Sequence, residues 1–131
     1  MDMIITLEGK ATVKAQYNGH TIKTDQPEPA GDNSAPPPFD LFLASIGTCA
    51  GIYVKSFCTQ RGIPTDQIKL VQTMEFDPAK RMVSKIGLDI QLPPDFPEKY
   101  RSAVINAAEL CAVKKHLHNP PEITISSSTQ D

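Results

Sequence analysis

The chain of 131 residues lacks the features that mark several specialised classes of protein. Three cysteines are too few for a disulfide scaffold at this length. The net charge of -2 gives no reason to expect nucleic acid or an anionic membrane as a partner. The longest apolar run, 41–54, is too short to span a bilayer, and no basic leader precedes an apolar stretch at the N-terminus. These features predict a cytoplasmic protein whose thiols are reduced at rest.

Short motifs that mark known cofactor sites or catalytic residues are also missing. The sequence contains no phosphate loop, nucleotide fingerprint, Gly-x-Ser-x-Gly turn or His-Glu-x-x-His motif. The segment from Cys111 through His116 to His118 has metal-ligand residue types, but it lacks the paired spacing of a structural zinc site. We therefore expect neither a cofactor nor a metal.

What the sequence does contain predicts one α+β domain over residues 1–131. Hydrophobic residues make up 40% and charged residues 21%, as in an ordinary globular fold with a buried core. Three segments rich in β-branched residues predict an N-terminal meander, and Asn18-Gly19 is a strong hairpin signal between the last two. The three segments are 3–8, 11–17 and 20–24.

A long helix follows a loop that is rich in proline. Residues 25–38 contain five prolines and predict a loop long enough to be mobile or functional. Residues 38–61 have helical spacing of apolar side chains on nearly every face, which predicts burial within the molecule or within a dimer. Small residues on this helix would let another helix approach closely; they are Ala44, Gly47, Thr48 and Gly51.

The second half of the chain predicts a hairpin, a second helix and a last strand. Two alternating segments, 67–76 and 82–92, flank a turn at 77–80. Apolar residues at helical spacing predict a helix over 96–111. The remaining expectations are a further segment at 112–118, a short strand at 122–125 and a frayed polar tail at 126–131. The predicted order is βββ-α-ββ-α-β, with two long helices packed on antiparallel sheet.

The cysteines and one helix-start carboxylate are the candidate functional residues. Cys49 lies among small residues within the longest apolar run, and Cys111 ends the second predicted helix, just before a basic segment. Cys58, near the opposite side of the first helix, fits an apolar packing role. If 112–118 forms a separate helix, Cys111 lies at its N-terminus. Asp40 suits a helix start electrostatically, and the functional alternative is that it orients a cation near a thiol.

These motifs resemble the OsmC/Ohr family of osmotically inducible and organic hydroperoxide resistance proteins, in its less characterised OsmC-like branch. The resemblance covers nearly the whole chain. It depends on the helix start Pro38-Phe39-Asp40-Leu41-Phe42 with Cys49 near the helix middle, and on Ala108-Glu109-Leu110-Cys111-Ala112-Val113 at the end of the second helix.

The resemblance implies an intertwined homodimer and a two-cysteine peroxidase. By that resemblance Cys49 attacks an organic hydroperoxide, Cys111 resolves the sulfenic acid to a disulfide, and an external thiol or dithiol reduces it. Asp40 lies one residue after the position of the family's orienting acid. The family's N-terminal Arg has no counterpart before Arg61, and His20 or Lys23 could take its electrostatic place.

Two further interpretations of the same residues stay open at this point. One is a binding module without catalysis, in which a dimer cleft holds a small apolar or thiol-containing ligand and the cysteines mainly pack. The other is a cysteine-based transferase on the same scaffold.

Overall fold

The computed structural model describes residues 1–130, which divide into two compact units, Met1–Ser45 and Ile46–Asp131. Asp131, the end of the polar tail expected at 126–131, lies outside the described residues. Each unit contains one antiparallel sheet. The single domain expected over 1–131 stays a prediction.

The first unit contains the expected three-stranded meander. Its strands are β1 (Ile4–Glu8), β2 (Thr12–Tyr17) and β3 (His20–Thr24), paired in sequence order. The β2–β3 turn has positive φ at both Asn18 (50°) and Gly19 (77°), as a two-residue hairpin turn requires. The turn sequence therefore fixes the register that pairs Tyr17 with His20.

The loop after β3 is organised by Asp25, whose side chain is 1% exposed. Its carboxylate accepts hydrogen bonds from the backbone N–H of Gln26 at 2.7 Å and of Ser34 at 3.1 Å. The Ser34 hydroxyl donates a third bond at 2.5 Å. Gly31 packs so close that a Cβ there would lie 2.4 Å from Asp25 Oδ1. The carboxylate therefore holds both ends of a segment that the sequence predicts as mobile or functional.

Asp25→Asn is expected to make the stability of the protein less dependent on pH in the acid range. Hydrogen bonds, chiefly from the Ser34 hydroxyl, lower the pKa of Asp25 to about 2. A folded-state pKa below the unfolded value contributes stability that is fully present above about pH 4 and is lost as the pH falls through about 2. Urea denaturation at a series of pH values should show the difference between wild type and variant shrinking over that window. A difference that is constant with pH would contradict this role.

The long helix α1 spans Pro38–Gln60. In its second half Ile46, Ala50, Val54, Phe57 and Cys58 are buried, at the spacing of one helical face. Ile52, on another face, is 54% exposed. The all-round burial expected from the sequence is therefore not reached within one chain. The apolar run 41–54 alone is too short to span a bilayer, but the whole of α1, at 23 residues, is long and apolar enough by length and composition alone. Core helices of soluble proteins share this property.

The second sheet is a hairpin of β4 (Lys69–Asp77) and β5 (Met82–Gln91). The Asp77 carboxylate accepts hydrogen bonds from the backbone N–H of Ala79 and Lys80, which closes the expected turn. A bulge interrupts the register after Glu75, and the Ser84 hydroxyl donates to the Glu75 carbonyl there. The hairpin predicted from the alternating pattern is confirmed.

The predicted second helix over 96–111 is wrong in its bounds. A 3₁₀ turn at Glu98–Tyr100 leads into α2 (Arg101–Glu109), and a separate helix α3 spans Ala112–His118. Helical structure starts late because Pro97 disfavours helical backbone at Phe96. Helix α2 ends before Cys111, whose φ of -62° and ψ of 143° are those of extended backbone. Residues 1–130 therefore contain one long α-helix and two short ones.

The last strand expected at 122–125 is not formed. No regular structure is assigned to residues 119–130, and Ile123 and Ile125 are 82% and 95% exposed. A strand needs a neighbour for its backbone N–H and C=O groups, and the described residues pair none with this segment. Alternation of apolar residues favoured a strand but could not supply its partner.

The core of the second unit lies where α1 meets α2 and the chain before it. Its buried members are Val54, Phe57, Cys58, Phe96 and Val104. Half-buried apolar residues from the hairpin pack against them, among them Leu70 and Ile90. This packing fixes the C-terminal half of α1 and the helix that leads to Cys111.

Candidate functional site

A cavity of about 350 Å³ in the second unit is the strongest candidate site, because a cysteine lies in its wall. Ile46 and Ala50 of α1 form one wall and the β4–β5 hairpin another. The third comes from α2 and α3 and includes Cys111. Aliphatic side chains supply most of the surface; they include Leu70, Ile86, Leu88, Ile90 and Ile105. Such a volume and lining suit a small apolar organic molecule.

Cys111 reaches this cavity as the N-cap of α3. Its side chain is buried, and Sγ accepts a hydrogen bond from the backbone N–H of Lys114 at 3.4 Å. The capping sulfur satisfies one of the free N–H groups of the first turn. The separate helix considered from the sequence is therefore confirmed. The break occurs without a proline beside the cysteine, since Ala112 follows it.

Glu109, Lys114 and His118 line the same cavity. Lys114 Nζ donates to Glu109 Oε2, and this hydrogen bond, with the lysine charge, lowers the pKa of Glu109. Lys114 therefore touches the Cys111 sulfur through its backbone and the cavity edge through its ammonium group. The bond to the thiol comes from the backbone amide, while the ammonium group pairs with Glu109.

Cys49 is half-buried on α1 and is not among the residues that line the cavity. Ile46, about one turn before Cys49, and Ala50, the residue after it, do line the cavity. The structure therefore brings the α1 segment around Cys49 and the Cys111 thiol to the same cavity. Catalytic roles for both cysteines stay predictions at this point.

Asp40 lies in the first turn of α1 and is exposed, as the electrostatic preference for an acid at a helix start predicts. Its backbone N–H donates to the Pro37 carbonyl at 3.0 Å. Asp40 belongs to the first unit, as do His20 and Lys23, both of which are exposed on β3. A role for any of them beside a thiol stays a prediction.

The small-residue strip of α1 meets a strand rather than another helix. A Cβ on Gly47 would lie 2.5 Å from Gln72 Oε1 and 3.7 Å from Leu88 Cδ2. Glycine at 47 therefore admits the hairpin two residues before Cys49. Gly51, by contrast, has no atom within 4 Å of an added Cβ. The helix partner expected from the sequence is not supplied by the described residues of one chain.

Cys58 is completely buried in the core of the second unit. Burial raises the pKa of its thiol, and the nearby Arg61 charge opposes this effect. A thiol held neutral among Val54, Phe57 and Val104 is a poor nucleophile. The packing role predicted for Cys58 is confirmed.

Sequence reasoning missed several residues of the site. The alternating pattern predicts the residues of β4 and β5 as strands, but it does not show which helix covers them, so it does not predict that they line a cavity. The sequence does not predict a pair between Glu109 and Lys114, because residues five apart do not face each other on one helix. The helix break at Leu110 brings the two together.

Family comparison gives these observations a context. A family model described as OsmC-like protein matches residues 31–126. The chain therefore belongs to the OsmC-like protein family, as the sequence motifs predict. Among the curated proteins, no significant match to the chain was found.

Solved structures share the fold at low sequence identity. A protein of Psychrobacter arcticus, provisionally named as an osmotic stress induced and detoxification response protein, is 22% identical, with a TM-score of 0.72 over 86% of this chain and 85% of that one. An OsmC-like protein of Mycoplasma pneumoniae is 14% identical, with a TM-score of 0.69 over 91% and 87%. An organic hydroperoxide resistance protein of Bacillus subtilis is 19% identical, with a TM-score of 0.54 over 92% and 93%. These likenesses establish the α+β OsmC-like fold.

Proposed function

We propose that this protein is a thiol-dependent peroxidase that reduces organic hydroperoxides through Cys49 and Cys111. The observation that carries the proposal is the apolar cavity of about 350 Å³ with Cys111 in its wall and the Cys49 segment beside it. Membership of the OsmC-like family supports it, since a solved structure with the same fold is named an organic hydroperoxide resistance protein.

The proposed cycle begins at Cys49. Its thiolate attacks the terminal peroxide oxygen, the O–O bond breaks, and the alcohol leaves after taking up a proton. Cys49 is thereby oxidised to a sulfenic acid. The Cys111 thiol then attacks that sulfur, water leaves, and a disulfide forms. An external thiol or dithiol returns both residues to thiols and is itself oxidised.

Apolar walls favour hydroperoxides that carry a hydrocarbon group. Burial of such a group contributes about 25 cal/mol per Å² of apolar surface removed from water. Ile86, Leu88 and Ile105 offer this surface in the cavity. Hydrogen peroxide has no apolar group to bury. We therefore expect cumene hydroperoxide to be a better substrate than hydrogen peroxide.

The working form in this proposal is a cytoplasmic homodimer. The dimer is supported by large apolar side chains that each unit exposes to water and that a partner protomer would bury. Leu7 of the first unit is 83% exposed, and Leu110 and Leu117 of the second are 63% and 50% exposed. A reducing cytoplasm would supply the thiol or dithiol that the cycle needs. No nucleic acid or membrane partner is part of the proposal.

The test is consumption of cumene or tert-butyl hydroperoxide by the purified full chain with a dithiol reductant. The expected result is catalytic turnover that exceeds the reaction of peroxide with reductant alone. Wild-type protein that consumes no organic hydroperoxide under any dithiol would overturn the proposal.

Two substitutions of Cys111 should separate its capping role from its redox role. Serine keeps an acceptor for the Lys114 N–H, so Cys111→Ser is expected to fold normally yet to stop at the Cys49 sulfenic acid. Cys111→Ala loses the cap as well, and we expect it to be about 1 kcal/mol less stable. Mass spectrometry with a sulfenic-acid probe and urea denaturation measure the two effects. Peroxide turnover at the wild-type rate in Cys111→Ser would contradict the resolving role.

The same cavity also supports a second candidate function, binding without catalysis. Its aliphatic walls would hold a small apolar or thiol-containing ligand whether or not the cysteines react. This alternative predicts slow, unselective thiol labelling and saturable ligand binding that persists in Cys49→Ser. A cysteine-based transferase would instead label quickly and consume no peroxide.

A further inference from the structure

A second cavity, of about 400 Å³, lies at the C-terminal end of α1 and shares no lining residue with the cavity of Cys111. Ile52, Ser56 and Gln60 lie along one side of α1 in its wall, with the rings of Tyr53 and Phe57 beside them. Ala107 of α2 closes the apolar side, and Arg61 lies just after the helix end. The walls therefore combine apolar surface with several hydrogen-bond donors.

Arg61, although exposed, is positioned at this cavity by one hydrogen bond and two aromatic rings. One terminal nitrogen donates to the Phe57 carbonyl at 3.0 Å, which satisfies a free acceptor near the helix end. The guanidinium carbon lies 3.7 Å from the centroid of the Phe57 ring and 5.5 Å from that of Tyr100. The two rings meet edge to face at 5.8 Å. A guanidinium with these contacts loses less freedom on binding a ligand than one that makes none.

The charge of Arg61 is not balanced by an acid at this cavity. Within residues 1–130 no ion pair involves Arg61, and no Asp or Glu lines the cavity. Arg61 is the single cation among the residues that line the cavity. A guanidinium has five N–H donors, and one is used by Phe57. Hydroxyl groups of Tyr53 and Ser56 line the same space.

We propose that this cavity binds a small organic carboxylate, with the carboxylate paired to Arg61 and an apolar body against Ile52 and Ala107. A carboxylate matches the planar fork of a guanidinium in two parallel hydrogen bonds. The single cation in the wall balances one negative charge, which favours a carboxylate over a phosphate dianion. The site involves neither Cys49 nor Cys111 and is independent of the proposed peroxidase.

The experiment is a titration of the full-length protein with benzoate, followed by nuclear magnetic resonance of the backbone amides and the Arg61 side chain. Saturable shifts at Ser56, Gln60 and Arg61 are expected. Benzamide, a neutral analogue, should bind about tenfold more weakly or worse, since it lacks charge-assisted hydrogen bonds. Inorganic phosphate, which has no apolar body, should also bind at least tenfold more weakly. Benzoate shifts that do not saturate, or equal binding of phosphate, would overturn the proposal.

Variants test whether Arg61 itself binds the anion. Arg61→Lys keeps the charge but loses the fork, and we expect benzoate affinity to fall at least about tenfold. Arg101→Lys is the matched control, because Arg101 pairs with Glu98 and does not line the cavity. Should Arg61→Lys fail to fold, the double variant Tyr53→Phe with Ser56→Ala removes two donors and should weaken binding several-fold. Unchanged affinity in the folded variants would contradict the assignment.

A double replacement of Cys49 and Cys111 by serine separates this site from the redox chemistry. Benzoate affinity should stay within twofold of wild type in that variant. Benzoate binding that depends on the cysteines would place the anion at the other cavity and overturn the proposal. Peroxidase activity has no bearing on this outcome, so the two proposals can fail independently.

Discussion

Replacing Cys49 with serine is expected to reduce hydroperoxide consumption to the rate of the reductant alone. The proposed cycle oxidises a sulfur atom, and a serine hydroxyl has no sulfenic acid state through which electrons can pass. Cys49 is half-buried and serine is of similar size, so we expect the fold to survive. The measurement is the rate of cumene hydroperoxide loss with a dithiol, compared at equal concentrations of folded protein.

Cys58→Ala is the matched control for Cys49→Ser. It also removes one thiol from α1, but that thiol is buried in the core with its pKa raised by burial. Its peroxidase rate should equal that of wild type, although its stability should fall. Activity retained in Cys49→Ser, or lost in folded Cys58→Ala, would contradict the role given to Cys49.

Local sequence signals were enough to predict the hairpins and the long helix. Asn18-Gly19 demands positive φ at two successive residues, so the turn and the register beside it follow from the sequence. The alternating segments around 77–80 are equally local. The segment 122–125 differs, because Ile123 and Ile125 form a strand only if another strand pairs with them. Pairing over a distance cannot be deduced from alternation alone.

The candidate site could be predicted in its residues but not in its arrangement. The sequence marks Cys111 as a candidate thiol at the end of the second predicted helix and allows it to begin a separate one, as it does in α3. Which residues surround it depends on how β4 and β5 cover α1, and the sequence pattern says nothing about that. Asp25 shows the same limit, since the sequence predicts a mobile or functional loop but not the three hydrogen bonds to one carboxylate that order it.

The chain has no Arg before Arg61, so another cation would have to take the place of the N-terminal Arg that the family resemblance implies. His20 and Lys23 were candidates for its electrostatic place, and both lie exposed on β3 in the first unit. Lys114 instead lines the cavity of Cys111, and its backbone N–H donates to the Cys111 sulfur. A cation at this position would act on the resolving step, since it neighbours Cys111. Activation of Cys49 is then a separate requirement.

Phe96→Ala is expected to have the largest effect on stability, a loss of about 3–5 kcal/mol. Phe96 is 5% exposed and packs in the core cluster with Val54, Phe57 and Val104, so its removal leaves a cavity that rigid neighbours cannot fill. Urea denaturation measures the loss, and Tm should fall by about 10 °C or more. The matched control is Ile123→Ala, at a residue 82% exposed, where we expect a change within about 0.5 kcal/mol. A loss below about 1 kcal/mol at Phe96 would show that this ring does not fill the core that holds α1 and α2 together.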